Sequence, residues 1–548
     1  MQLIEAVADI LKRESITRLF CYPTSPIIET AVAAGITPII SRQERTGVHI
    51  ADGYARVTNG RPPAVFAMQY GPGAENAFAG IASAFSDSTP LLLLPMAHPR
   101  HVSQQFPMFS SRRAYAPVTK SVEEVVVPEE LPNAMRRAFA QLRNGRPGPV
   151  MVEMPLDLQN TDVGPYDYVP VPTVRSMPDP LAIDKAAGLL LGASRPMILA
   201  GQGVLYARVA GKLQRLADMI QAPVMTTVDA KSAFPEDHPL SLGVGGIVFT
   251  GHGLDYLNTK ADLILAVGAG LTRHQLSTPG LPKGVKLIHA TNDTRDIGKT
   301  YDTEVGLLGD AALTLSALID AVQDRVPKSV IEGSVADVLA PLREAWIAKW
   351  YAKLTSNEKP ITPYRVIHEF SKLVDPAQTI VTHDSGSPRD QIMPFYQSTT
   401  PRGYIGWGKS HQLGSGLGLI IGAKIAAPEK FCVNFMGDAA FGMTGLDFET
   451  AIRVDAPILT VVFNNSSMAI EHQHMKYSHE KLRTRDIGGD YAGIARDLGG
   501  WSERVEEPGQ IADALKRAKQ KTEEGKAALL EFITSEEVTF SHRNGAPD

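Results

Sequence analysis

Two rhythms of apolar and polar positions alternate along this chain. Short apolar runs (TRLFCYP, ITPIIS, PAVFAMQY, PLLLLPM, GPVMVEMP) are separated by stretches such as IIETAVAAG and RTGVHIADGYARVTNG, whose apolar residues fall at helical spacing. An apolar run of about four to eight residues followed by a helical pattern marks a βαβ unit, and hence a parallel sheet covered on both faces. The rhythm breaks at GPYDYVPVPTVRSMPDP, which is proline-rich, aperiodic and reads as a linker. It resumes with the strands PMILAGQG, PVMTTV, DLILAVGA and VKLIHAT and the helices RVAGKLQRLADMIQ and AALTLSALIDAVQ. The charged helical stretch REAWIAKWYAKLTSNEKP forms a second connector, after which TIVTHD, KFCVNFMGD, ILTVVFNN and ALLEFIT complete a third set. The pattern predicts an α/β protein of three sequential parallel-sheet domains, over residues 1–165, 179–325 and 360–540.

Composition narrows the partners. The 548 residues suit three or four domains at about 150 residues each. The 44% apolar and 21% charged content is that of an ordinary globular chain. With a net charge of −5 and no Lys/Arg-rich run, nothing electrostatic favours nucleic acid or a membrane surface. Cys21 and Cys432 form no CxxC pair, which argues against a disulfide framework or zinc and fits a reducing, cytoplasmic setting. The opening MQLIEAVADILKRE reads as an amphipathic helix rather than a signal peptide, and no run of about 18 apolar residues is long enough to span a bilayer.

The chemistry concentrates in KFCVNFMGDAAFGMTGLDFETAIRVDAPILTVVFNNSS. One apolar run stops at Met436, a helix is expected over about Leu446 to Val454, and a second run stops at Asn464 and Asn465. The two strands of such a unit are parallel and usually adjacent, which brings Asp438 and Asn465 to the same sheet edge, where open α/β sheets bind ligands. A carboxylate beside an amide oxygen is a hard donor pair suited to Mg²⁺, provided a phosphate fills the remaining positions. Read without that pairing, Asp438 caps a helix and the asparagines make a turn. Upstream, TIVTHDSGSPRD ends a strand in a small-residue loop, with Ser385, Gly386 and Ser387 placed to offer backbone N–H groups to phosphate.

These words resemble the thiamine-diphosphate enzymes of the acetolactate synthase and 2-oxo acid decarboxylase type. The family's diphosphate motif opens Gly-Asp-Gly and closes Asn-Asn; here Gly437 and Asp438 open it, Ala439 replaces the third residue, and Asn465 follows Asp438 by 27 positions. The resemblance implies that Asp438, Asn465 and the Ser467 carbonyl hold Mg²⁺. It places Gly437, Ala439, Ala440, Met468 and Ser385–Ser387 beside the diphosphate. The first domain carries Glu44 followed by Ala-Asp-Gly-Tyr-Ala-Arg, and then Gly-Pro-Gly-Ala-x-Asn. In the family that glutamate hydrogen-bonds the aminopyrimidine ring and promotes loss of the thiazolium proton. Glu44 takes this role by resemblance, with Pro23, Gly71 and Asn76 nearby. In GWGKSHQLGSGLGLIIGAKIAAP, Leu413 falls where the family wedges an apolar residue between the coenzyme rings.

The resemblance further implies thiamine diphosphate and Mg²⁺ as cofactors, a small 2-oxo acid or related carbonyl substrate, and a homodimer as the minimum working unit, with a tetramer plausible. His411, Gln412 and Glu471 are the candidate pocket residues. The leading expectation is decarboxylation or carboligation of a 2-oxo acid. The alternatives are a lyase splitting a 2-hydroxy ketone or 2-hydroxyacyl-CoA, a catalytically silent relative kept for assembly, and, more distantly, a nicotinamide dehydrogenase using the Gly201–Gly203 turn. Departures from true acetolactate synthases occur at Gln43, at Phe106-Pro107 and in the run from Met468 to Gln473. In the central domain, Gly270, Ala290 and Thr291 replace the residues that hold flavin in some relatives, which weighs against FAD.

Overall fold

The computed structural model describes residues 1–246, 248–273, 278–326 and 335–541. Three sheets follow one another, and every strand pair in them is parallel. The first contains β1 (Arg18–Cys21), β2 (Thr37–Ile40), β3 (Ala64–Met68), β4 (Leu91–Ala97), β5 (Ser121–Glu124) and β6 (Val150–Pro155), in the order β2-β1-β3-β4-β6-β5. The second contains β7 (Pro196–Ala200), β8 (Val224–Thr226), β9 (Ser241–Val244), β10 (Leu263–Val267), β11 (Lys286–Thr291) and β12 (Val305–Leu308), ordered β12-β11-β10-β7-β8-β9. The third contains β13 (Thr379–His383), β14 (Phe431–Gly437), β15 (Leu459–Asn464), β16 (Trp501–Val505) and β17 (Ala528–Ile533), ordered β13-β14-β15-β17-β16.

Central strands such as β3 and β10 are buried at every residue, as a parallel sheet covered on both faces requires. Two helices join the outer sheets. Glu44–Thr58 from the first and Gly416–Ala426 from the third share one apolar core, which runs from Phe20 and Val48 through Leu417 and Ile420 to Val462 and Leu529. Their approach needs glycine: a Cβ on Gly53 would lie 2.0 Å from the Leu419 carbonyl oxygen, and one on Gly422 would lie 1.9 Å from that of Ile50.

One expected boundary moves. The helix after β14 starts at Asp438 rather than near Leu446, running Asp438–Thr444, through a short 3₁₀ turn, to Phe448–Arg453. Gly442 and Gly445 obscure that early turn in the sequence because glycine is a poor helix former.

Candidate functional site

Three neighbouring strand ends build the first half of the site. After β13 the chain turns through Gly386, at φ 86°, into the helix Ser387–Ile392. After β14, Asp438 opens its helix, and after β15 the chain turns through Asn465, Ser466 and Ser467. Because β14 lies between β13 and β15, all three turns meet at one edge. The Asn465 N–H donates to Asp438 Oδ2 at 3.1 Å and the Ala439 N–H to Oδ1 at 2.7 Å, while Asn465 Oδ1 accepts the Ser467 N–H at 3.0 Å. Asp438 is 3% exposed, and burial pushes its carboxyl up to about 6 against the pull of these backbone donors. No described cation pairs with it.

A recess opens over this edge. Ser385, Gly386, Ser387, Leu413, Gly437, Asp438, Ala439, Ala440, Asn465, Ser467 and Met468 all line it. Glu471 does not, although its neighbour Ile470 does. Neither His411 nor Gln412 lines it. His411 stacks on Trp407 with centroids 5.7 Å apart, and its carbonyl accepts from Ser385 Oγ at 3.1 Å. Gln412 Oε1 meets His49 Nε2 at 2.6 Å.

The sequence reading missed Asp384. Fully buried, its carboxylate accepts N–H bonds from Ser385 (2.7 Å), Gly414 (2.8 Å) and Gly416 (2.7 Å), which ties the phosphate-type loop to the Leu413 turn. Burial raises this carboxyl to about 6. Its only signal was an Asp ending an apolar run. Pro363, Gln391 and Phe463 also line the recess and carried no signal.

The second half-site stands on the first sheet. Glu44 is the first residue of its helix, 4% exposed, and accepts from Asn76 Nδ2 at 3.3 Å. Gly73 keeps the space beside it open, since a Cβ there would lie 3.4 Å from Glu44 Oε1. Gly71 turns the chain at φ 58°, ψ −112°, a backbone state for glycine. Pro23 is exposed just past β1. Glu44, Pro23, Gly71 and Asn76 do not line the recess of their own chain. Instead Arg45, next to Glu44, donates to the Leu413 carbonyl.

The Ala-Asp-Gly-Tyr-Ala-Arg run is a clamp between these halves. Arg56, 1% exposed, donates to Asp52 Oδ1 (2.5 Å), Asp87 Oδ2 (3.1 Å) and the Gly406 carbonyl (2.6 Å). Asp87 in turn accepts the N–H groups of Gly408 (2.8 Å) and Lys409 (2.9 Å) from the third domain.

Comparison with known proteins identifies the family. Family models match three stretches: the N-terminal TPP binding domain over residues 1–115, the thiamine pyrophosphate enzyme central domain over 183–318, and the C-terminal TPP binding domain over 384–532. The chain belongs to the thiamine pyrophosphate (thiamine diphosphate) enzyme family, of the acetolactate synthase-like kind. It is 29% identical to a probable acetolactate synthase large subunit of Methanocaldococcus jannaschii, over 94% of this chain and 90% of that one. It is 27% identical to acetolactate synthase isozyme 3 large subunit of Escherichia coli K12, over 96% and 94%. With a glyoxylate carboligase of Escherichia coli O157:H7 it shares 26% identity over 98% and 94%.

The central domain of this family member borders a larger cavity, of about 430 Å³, lined among others by Gly203, Gly270, Ala290, Thr291 and Lys409. Arg146 reaches in from the first domain and donates to Asp296 Oδ1 at 2.9 Å. Its guanidinium fills the space over Gly270, where a Cβ would lie 2.5 Å from it. No helix among the described residues is long and apolar enough to cross a membrane.

Proposed function

We propose that this chain catalyses thiamine-diphosphate- and Mg²⁺-dependent decarboxylation or carboligation of a small 2-oxo acid. It does so with domains 1–165, 179–325 and 360–540 and works as a cytoplasmic homo-oligomer, at least a dimer. The observation that carries the reading is the pairing of Asp438 with Asn465 in a small-residue recess, set against the buried Glu44 carboxyl, held by the exposed Asn76, neither of which lines that recess in one chain. That separation supports a site completed by a second copy, with Glu44 of one chain facing the recess of the other.

The residues fit the group. Asp438 Oδ, Asn465 Oδ1 and the Ser467 carbonyl are hard oxygen donors for Mg²⁺. No cluster of three or more His, Cys, Asp or Glu suited to a metal occurs among the described residues, so the cation depends on a diphosphate to complete its shell. The N–H groups of Gly386 and Ser387 would serve the anion, while that of Ser385 is held by Asp384. When bound, the coenzyme supplies a carbon nucleophile and then accepts the electron pair left as the substrate carboxylate departs. Glu44 would hold or move the proton at a pyrimidine ring nitrogen, Asn76 holds the Glu44 carboxyl, and Leu413 would support the coenzyme. Relatives named acetolactate synthase and glyoxylate carboligase favour short 2-oxo acids over a 2-hydroxyacyl thioester.

Glu44→Gln keeps the shape but removes the acid. Turnover should fall about 10²–10⁴-fold with an unchanged circular dichroism spectrum; full activity would defeat the assignment. A product screen separates the chemistries. Carbon dioxide from 2-oxo acids supports decarboxylation or carboligation, and aldehyde from an acyloin or acyl-CoA supports the lyase.

A further inference from the structure

Another cavity, of about 330 Å³, lies where the central sheet, the helix Val335–Leu354 and the third domain meet. None of the residues assigned to the coenzyme lines it. Its size falls within the range of about 300–1,000 Å³ typical of small-ligand sites. One wall is aromatic. Trp346 stacks on Phe395 with centroids 5.2 Å apart and planes 10° from parallel. Gly251 makes room for this stack, because a Cβ there would lie 2.2 Å from the Trp346 ring.

The polar lining is incomplete. Arg343 spends its guanidinium on two carbonyls, His238 O at 3.3 Å and Ser241 O at 2.8 Å. No described carboxylate forms an ion pair with it; Asp237 and Glu236 act on it only from a distance. Glu236, the carboxylate on the cavity wall, already binds Lys231 at 2.6 Å and the Ser398 N–H at 2.7 Å. His252 and Tyr396 are 5% and 1% exposed, yet His252 Nδ1 and the Tyr396 hydroxyl are buried with no hydrogen-bond partner. Buried polar groups in folded proteins nearly always have a partner, so two orphaned side chains among the residues that line one cavity, with an arginine without a described counter-ion, call for a ligand. His252 Nε2 lies 3.4 Å from the Ser241 carbonyl, so the ring proton belongs on Nε2 and Nδ1 is an acceptor.

We infer that this cavity binds a small aromatic carboxylate. The ring lies against the Trp346–Phe395 wall, the carboxylate pairs with Arg343, and a ring hydroxyl or N–H donates to His252. The inference is independent of the reaction assigned to the coenzyme site.

The test is isothermal titration calorimetry of the full chain, loaded with thiamine diphosphate and Mg²⁺, using 3-hydroxybenzoate. The expected result is saturable binding at one molecule per chain, with 3-hydroxybenzamide, which has the same shape without the charge, at least about tenfold weaker. Arg343→Met removes the cation. Ile347→Trp, at a cavity-lining position 36% exposed, narrows the entrance and leaves Arg343 in place. Loss of binding in either variant, provided it melts like the parent, supports the site. Absence of saturable binding, or binding unchanged in both variants, overturns it; the second outcome would move the molecule to another site such as the coenzyme recess.

Discussion

The first and third domains meet nearly backbone to backbone, whereas the central domain adjoins the first across a cavity of about 430 Å³ and an ion pair, and the third through Lys409 and a small apolar contact of Val228, Val244 and Val248. At the first contact, glycines let the helices Glu44–Thr58 and Gly416–Ala426 touch without side chains between them. At the second, long side chains such as Arg146 and Lys409 span the gap, reaching Asp296 at 2.9 Å and Asp229 at 2.9 Å. A backbone contact leaves almost no freedom, and its two helices begin at Glu44 and just after Leu413, groups that the proposed chemistry uses. A charged contact tolerates displacement, and it holds a domain to which the proposed chemistry assigns no reacting group.

The sharpest way to break that contrast is Gly422→Ala. The added carbon would overlap the Ile50 carbonyl oxygen, and backbone cannot yield as a side-chain tip can. Denaturant melts should show a loss of more than about 4 kcal/mol. A smaller loss would mean that the two helices can slide. Arg56→Leu comes next. It strands Asp52 and Asp87, both essentially buried, and should cost about 3–5 kcal/mol.

Acid offers a third probe. Burial, with Arg45 and Arg56 nearby, pushes His49 down to about 3 despite its bond to Gln412. His49 therefore stays neutral in the fold while the unfolded chain protonates below about 6.5. Its contribution is fully present above that pH and is lost as pH falls from there toward 3. Between pH 7 and pH 5 the loss is about 2 kcal/mol. Asp384 works in the opposite direction, because its raised carboxyl gains stability as pH drops below about 6. Comparing melts of the parent and His49→Asn at both pH values isolates the histidine: the variant should lose about 2 kcal/mol less than the parent. Equal losses would refute the assignment.

The mildest change is Arg146→Met, on the looser contact. Asp296 keeps Lys299 at 2.6 Å and Thr291 at 3.0 Å, so no charge is orphaned. A cost of about 1 kcal/mol is expected in thermal melts, with activity retained. A loss as large as that of Arg56→Leu would erase the distinction between the two contacts.

Legibility in the sequence was complete for strands inside the sheets and partial at their edges. Every strand read from the apolar pattern is present, whereas β5, β9, β12 and β16 gave no readable signal, and each lies at an edge of its sheet. An edge strand is short and covered on fewer sides, so β12, with alternate residues exposed, and β16, with Trp501 to Arg504 partly exposed, lack the continuous apolar run of a central strand. The residues placed around the recess came from motif and strand-end logic, and eleven of them line it. His411, Gln412 and Glu471 lie outside that lining, since neighbours in sequence along a turn point in different directions. Asp384 escaped notice because its work is to bind three backbone N–H groups, two of them some thirty residues away.

The chain's own letters determined three parallel α/β layers and the meeting of Asp438 with Asn465. Periodicity sets which faces are buried, and the βαβ connection sets which strand ends are neighbours. Only the folded molecule decided that Asp52 and Arg56 lock two domains together, that Arg146 fills the space above Gly270, and that Glu44 does not line the recess of its own chain. Those outcomes depend on packing between segments hundreds of residues apart, where steric fit and charge pairing act in space and leave no period along the sequence.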